Sequence, residues 1–199
     1  MRILMSATTA PEAAQIADRL SAAGHQVVRC HEPADRGLLC SALQGRACPI
    51  DDQVDLAVAV RERPTPYREL LEDGVVCAIR SHIPLVVTGV TAANPYRQWS
   101  TEIEGELTPE TAQAVVGAPL RGLSQSATEA LRSWLAATSR PGSGEDRVAV
   151  RRVAGGLQAQ VFAPGLDGPG REVAAVRVHQ SIRAADRTAR AVDVTFAGD

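Results

Sequence analysis

Apolar and polar positions along the first ninety residues fall in blocks whose period alternates between strand and helix. Arg2-Ile3-Leu4-Met5 is a short apolar run of the kind a strand shows when both its faces are covered. Behind it, Ala13, Ile16, Ala17 and Leu20 recur at the spacing of one helical face. Thr9-Ala10-Pro11-Glu12 has the spacing of a capping box, with proline near the helix start. Gly24 supplies the left-handed residue that ends this helix. Residues 26–30 predict a second strand. Residues 34–44, with Leu38, Leu39, Ala42 and Leu43, predict a second helix, stopped by residues 45–49. The run at 54–60 predicts a third strand, 67–82 holds a third helix, and 83–89 predicts a fourth strand. The order βαβαβαβ with short connections predicts parallel strands, right-handed crossovers and helices on both faces.

Beyond residue 90 the pattern loosens. Asn94-Pro95 is a turn signal. Residues 109–116 predict a short helix capped by Thr108, and 124–137 a stronger one with Ala127, Leu131, Trp134 and Leu135 on one side. Residues 140–146 have linker composition. Residues 147–153 and 157–163 alternate on either side of Gly155-Gly156, a hairpin signal. Residues 172–178 then predict a strand, 179–191 a helix starting at His179, and 192–197 a closing strand. The chain therefore divides into an α/β domain at 1–122, a connecting helix at 123–139, a linker at 140–146 and a small α+β module at 147–199. The module's order is βββαβ, on its own antiparallel sheet. Its structural task is to cover a sheet edge that would otherwise invite aggregation.

Composition narrows the function classes. The chain has 199 residues, 45% apolar and 22% charged, which is ordinary for a globular protein that folds without disulfide or metal staples. A net charge of −2 argues against general affinity for nucleic acid or anionic membrane. No apolar run approaches the roughly 18 residues of a bilayer span, and the apolar opening is too short for a signal peptide. All 21 basic residues are Arg, and Asn94 is the sole Asn, the coding bias of a GC-rich bacterial genome. Four Cys without a secretory signal point to a reducing cytoplasm and unpaired thiols. Residues 147–199 hold eight Arg against five acids, whereas residues 1–139 hold twelve against sixteen. This asymmetry suits attraction between the two halves, or between the C-terminal Arg face and an acidic partner.

At strands three and four the chain resembles a bacterial response-regulator receiver. Such domains read Asp, four apolar residues, Asp at strand three, then Pro, three apolar residues, Thr at strand four. Asp55 to Val60 and Pro84 to Thr88 occupy those frames. The likeness covers residues 1–90 and implies a doubly wound, flavodoxin-like parallel sheet. It does not imply phosphotransfer. The phosphate-accepting position falls on Val60, the paired acids after strand one are replaced by Ser6-Ala7-Thr8, and there is no Lys anywhere. Of the switch residues only Thr88 remains.

The first functional expectation is therefore a non-catalytic cytoplasmic regulatory or scaffold protein with no cofactor. It would act through a protein partner or self-association, away from membrane and nucleic acid. An alternative rests on the cysteines. Cys30 and His31 end strand two, and Cys40 and Cys77 lie on the next two helices in a repeated pattern, Gly37-Leu38-Leu39-Cys40 and Gly74-Val75-Val76-Cys77. If both helices start near the sheet's ligand edge, Cys30, Cys40, Cys77 and His31 converge there as zinc or iron–sulfur ligands, or as dipole-activated sensor thiols. Cys48 precedes strand three and is expected at the opposite edge. No pair has Cys-x-x-Cys spacing, and the competing reading is four small buried apolar residues. A second alternative is a small nucleotide- or anion-binding enzyme using Ser6-Ala7-Thr8-Thr9 or Arg61-Glu62-Arg63. Pairing of those Arg with Glu69 and Glu72 is the simpler expectation, and Tyr96 and Trp99 are expected to pack the following loop.

Overall fold

The computed structural model describes residues 1–7, 11–31, 40–69, 71–138, 145–153, 156–189 and 191–197. The expected Thr9 cap, most of the 34–44 segment, Gly155 and most of the 140–146 linker lie outside them. The chain forms two compact units, Met1–Val116 and Gly117–Asp199.

In the first unit, strands β1 (Arg2–Ala7), β2 (Gln26–Arg29), β3 (Leu56–Arg61), β4 (Leu85–Gly89) and β5 (Ser100–Ile103) form one sheet in the order β2-β1-β3-β4-β5. All four strand pairs are parallel. This is the doubly wound, flavodoxin-like order that the first ninety residues predict, with β5 added from the segment where the pattern was weakest. β3 lies at the centre and all six of its residues are buried. Its alternation divides the core. Leu56, Val58 and Val60 join Ile3, Met5 and Val86 on the face covered by α1 (Pro11–Ala22), through Ala13, Ile16, Ala17 and Leu20. Ala57 and Ala59 join Leu4, Leu85 and Val87 on the face covered by α2 (Asp73–Arg80), through Val75 and Ala78. Small side chains on the α2 face let that helix come close. A Cβ on Gly74 would stand 3.1 Å from Cys30 Sγ and 3.4 Å from Leu4 Cδ2.

The helix expected over 34–44 is not found where the chain is described. Cys40 is extended, and Ser41–Gln44 is a single 3-10 turn closed by Gly45 at φ 76°. The two helices expected at 109–116 and 124–137 are one helix, α3 (Pro109–Ala137), which runs through Pro119. An interior proline costs a helix about 3 kcal/mol. Here apolar positions continue on both sides of it: Ala112 packs in the first unit, and Leu123, Ala127, Leu131 and Leu135 pack in the second. The division between the units falls within this helix.

The second unit departs from the expected βββαβ order. β6 (Arg147–Val153) and β7 (Gly156–Phe162) form the predicted antiparallel hairpin. Residues 172–178, expected as a strand, belong to α4 (Gly168–Ala185), so His179 lies inside that helix and does not begin it. β8 (Val192–Phe196) pairs with β7 in parallel, making the sheet mixed and the order ββαβ. The sequence here fits both periods, and helical burial wins. Ala174, Val178 and Ile182 stack at four-residue intervals into the core, while Val173 and Val176 stay exposed. Asp167 caps the start, its Oδ1 accepting the Gly170 amide at 2.8 Å. A parallel pair also requires a crossover, which α4 provides.

Where β7 begins, Leu157 N–H donates to the Ala191 carbonyl at 2.9 Å, and a Cβ on Gly156 would lie 2.4 Å from that oxygen. Gly156→Ala is expected to cost about 2 kcal/mol or more in urea unfolding, by pushing β8 off β7. An unchanged midpoint would contradict the close approach.

Candidate functional site

In open parallel sheets, ligands sit at the carboxyl ends of the strands. Here β3 ends on Arg61 and β4 on Thr88-Gly89. The two ends are locked together. Val90 N–H donates to the Arg61 carbonyl at 2.8 Å, and Gly89 has φ 83° with an ideal Cβ position only 2.3 Å from that oxygen. Only glycine fits there.

The Arg61 side chain is 1% exposed, and its partner Glu72 is 2% exposed. Arg61 Nη1 donates to both Glu72 carboxylate oxygens, at 3.1 and 3.3 Å. Its Nη2 donates to the carbonyls of Thr65 at 2.8 Å and Tyr67 at 3.1 Å, and lies 3.8 Å from Glu69. Glu72 Oε2 accepts the Tyr96 hydroxyl and the Glu69 amide, both at 2.8 Å. Burial and the bond to Glu72 push the Tyr96 hydroxyl well above its ordinary range. The pairing expected of Arg61 is therefore present, and Tyr96 is buried as expected. Trp99, three residues on, is not: it stands 52% exposed. The Asn94 amide extends the network to Ser100 and Glu102, each at 3.0 Å. Hydrogen bonds from Arg97 and Asn94 hold the Glu102 carboxyl below its usual value.

A cleft of about 800 Å³ opens beside these ends, lined in part by Pro11, Val60, Thr88, Gly105 and Glu106. Val60, in the frame of a receiver's phosphate acceptor, is buried and apolar. Thr88 Oγ1 donates to the Gly105 carbonyl at 2.9 Å, and Ser6 Oγ to the Leu71 carbonyl at 2.7 Å. Arg19, also on the cleft, is paired with Glu106. Ser6, Thr88, Arg19 and Arg61 are thus committed to partners within the protein.

The cysteines occupy a second place. Cys30, just past β2, is buried, and its carbonyl accepts both the amide and the hydroxyl of Ser41 at 2.8 Å. That seats Cys40 beside it, packed against the same core. Cys77 lies on α2, one turn beyond Gly74, and is exposed. Cys48 lines a cavity with Arg2, Val27, Ser41 and Asp52. Burial first, then the thiols of Cys48, Cys77 and Cys40 and the Asp73 carboxylate, push the Cys30 thiol up to about 12. Cys77 is also raised, by burial and then by Cys48, Cys40 and Asp73. For Cys77, on α2, the dipole activation expected is thus outweighed. His31 Nε2 is 3.8 Å from Asp73 Oδ2. Cys30 and Cys40 pack against the same core, whereas Cys77 is exposed on α2. Among the described residues, which include all four Cys and His31, no group of three or more His, Cys, Asp or Glu side chains could hold a metal ion.

Sheet order and edge chemistry define the class as a flavodoxin-like α/β protein with an appended ββαβ unit. No protein-family model matches the chain, and no curated protein matches it. No helix among the described residues is long and apolar enough to cross a membrane.

Glu72→Gln leaves the Arg61 guanidinium buried without its counter-charge and is expected to cost about 3–5 kcal/mol in urea unfolding. Tyr96→Phe, losing one hydrogen bond, is expected to cost only about 1–3 kcal/mol. The double variant Arg61→Met, Glu72→Leu is expected to be more stable than Glu72→Gln. A Glu72→Gln protein as stable as the parent would show that the pair is not desolvated.

Proposed function

We propose that the chain is a non-catalytic regulatory or scaffold protein of the cytoplasm, and that it binds a protein partner through the carboxyl edge of its receiver-like unit. Self-association is the simplest form of such binding. The observation that carries this reading is the exchange at the edge itself. An apolar Val60 stands in the acceptor frame, and a buried Arg61–Glu72–Tyr96 network fills the space behind it. Reactive groups are replaced by groups that brace loops. Those loops present two large aromatic side chains to solvent, Tyr67 at 76% and Trp99 at 52% exposure. Arg61 holds the Tyr67 carbonyl, and the Trp99 amide donates to the Tyr96 carbonyl at 2.9 Å, so both are set on a rigid base. Rigid exposed aromatics are the residues that dominate protein interfaces. The anion-binding alternative is weakened by the committed state of Arg61, Arg19, Thr88 and Ser6.

A photo-crosslinking amino acid placed at Tyr67 in the full chain, irradiated in cells, is expected to give one discrete protein adduct. Trp99→Ala is expected to reduce that adduct by about tenfold, since loss of a hot-spot aromatic costs about 2 kcal/mol or more. The same protein incubated with acetyl phosphate and Mg²⁺ is expected to gain no phosphoryl mass. No discrete adduct, or a stable phosphoryl adduct, overturns the reading.

A further inference from the structure

We propose that β8 is the interface of a homodimer, in which two copies of the chain pair their β8 strands antiparallel about Val194 and join two sheets into one. This surface belongs to the second unit and does not depend on the reading of the carboxyl edge.

The two edges of the β6-β7-β8 sheet differ in how their backbone is met. At the β6 edge the Val148 amide donates to Thr128 Oγ1 and the Val150 amide to Ser124 Oγ, both at 2.9 Å. Each hydroxyl in turn donates to a carbonyl one turn back in α3, Thr128 to Ser124 at 2.7 Å and Ser124 to Leu120 at 2.8 Å. With their hydrogens committed to the helix, these oxygens are left to accept, and α3 thereby consumes outward amides of β6.

β8 has no such cover among the described residues. Its parallel register sets Val192 beside Leu157 and Phe196 beside Val161. Leu157 N–H donates to the Ala191 carbonyl and Ala197 N–H to the Val161 carbonyl, each at 2.9 Å. A parallel strand bonds one neighbour through alternate residues, so Ala191, Asp193, Thr195 and Ala197 serve β7. Val192, Val194 and Phe196 turn their N–H and C=O groups away from it, and among the described residues none of those groups has a partner. The devices that keep an edge from pairing are missing as well. Val192–Phe196 holds no Pro, Lys or Arg, and it runs along β7 without a bulge. Its Val, Thr and Phe are strand-forming types.

A second copy fits this edge because the strand is complementary to its own reverse. With a two-fold axis through Val194, Val192 stands opposite Phe196 of the second copy, and every outward group from 192 to 196 finds a partner. Valine opposite phenylalanine is a favourable cross-strand pair, and it extends the apolar side on which Val192, Val194 and Phe196 already pack. On the other side the exposed Asp193 stands opposite Thr195 of the second copy, whose hydroxyl can donate to the carboxylate. Moving the axis to Asp193 would set two carboxylates directly face to face, where like charges repel. Charge therefore selects the register. Because α3 closes the β6 edge, pairing through this sheet stops at two copies and does not run on into a fibre.

The test is the mass of the full chain by sedimentation, from about 1 to about 200 μM. Pairing of one short strand buries less than the roughly 1,200 Å² of a standard interface, so a dissociation constant in the micromolar range is expected. Amides of Val192, Val194 and Phe196 are expected to exchange slowly in the dimer and fast on dilution, while those of Asp193 and Thr195 stay protected by β7. Thr195→Asp sets a carboxylate opposite Asp193 of the second copy and is expected to weaken the dimer more than about tenfold, with an unchanged far-ultraviolet spectrum. Adding Asp193→Arg restores opposite charges and is expected to restore the dimer. Trp99→Ala, at the carboxyl edge, is expected to leave the mass unchanged. If Thr195→Asp fails to fold, the exchange pattern of the parent decides alone. Monomer mass throughout, a folded Thr195→Asp protein that still dimerises, a folded double variant that does not, or a dimer lost in Trp99→Ala overturns the proposal. So does a different protein bound along β8 in place of the second copy.

Discussion

At the end of the central strand the chain carries a guanidinium to a place that water barely reaches. A charge there must find a counter-charge and acceptors within the protein, or the fold loses several kcal/mol. Glu72 supplies the charge, and the carbonyls of Thr65 and Tyr67 supply acceptors. Glu72 then needs donors of its own and takes them from Tyr96 and Glu69. These groups come from the loop after β3 and the loop after β4. Meeting one desolvation requirement therefore sets the course of both loops. It also explains why the edge that would carry chemistry in a receiver presents braced, exposed aromatic side chains.

The same strand organises the core. Period-two alternation sends Leu56, Val58 and Val60 to one face and Ala57 and Ala59 to the other. The larger set meets a three-turn helix across the sheet, and the smaller set admits α2 at close range. That close approach brings the Gly74 turn against Cys30 and Leu4.

Much of the first unit was legible because burial on both faces leaves a local mark. Apolar runs at β1, β3 and β4, the Ala13–Leu20 stripe of α1, and the Arg61 pairing were all readable from type and spacing. The 34–44 segment misled, since Leu38, Leu39, Ala42 and Leu43 match a helical face, yet residues 41–44 make only a 3-10 turn. Residues 172–178 misled for a related reason. Val173, Val176 and Val178 satisfy strand and helix templates alike, and only the core under Ala174, Val178 and Ile182 separates them.

The order of polar and apolar residues by itself determined the parallel α/β class and the face of α1, since each is written in residues close together in the chain. Tertiary structure alone decided how Tyr96 completes the Arg61–Glu72 pair and why Gly89 and Gly156 must lack a side chain. Those outcomes depend on atoms from segments far apart in sequence, and periodicity carries no information about which distant segment will arrive.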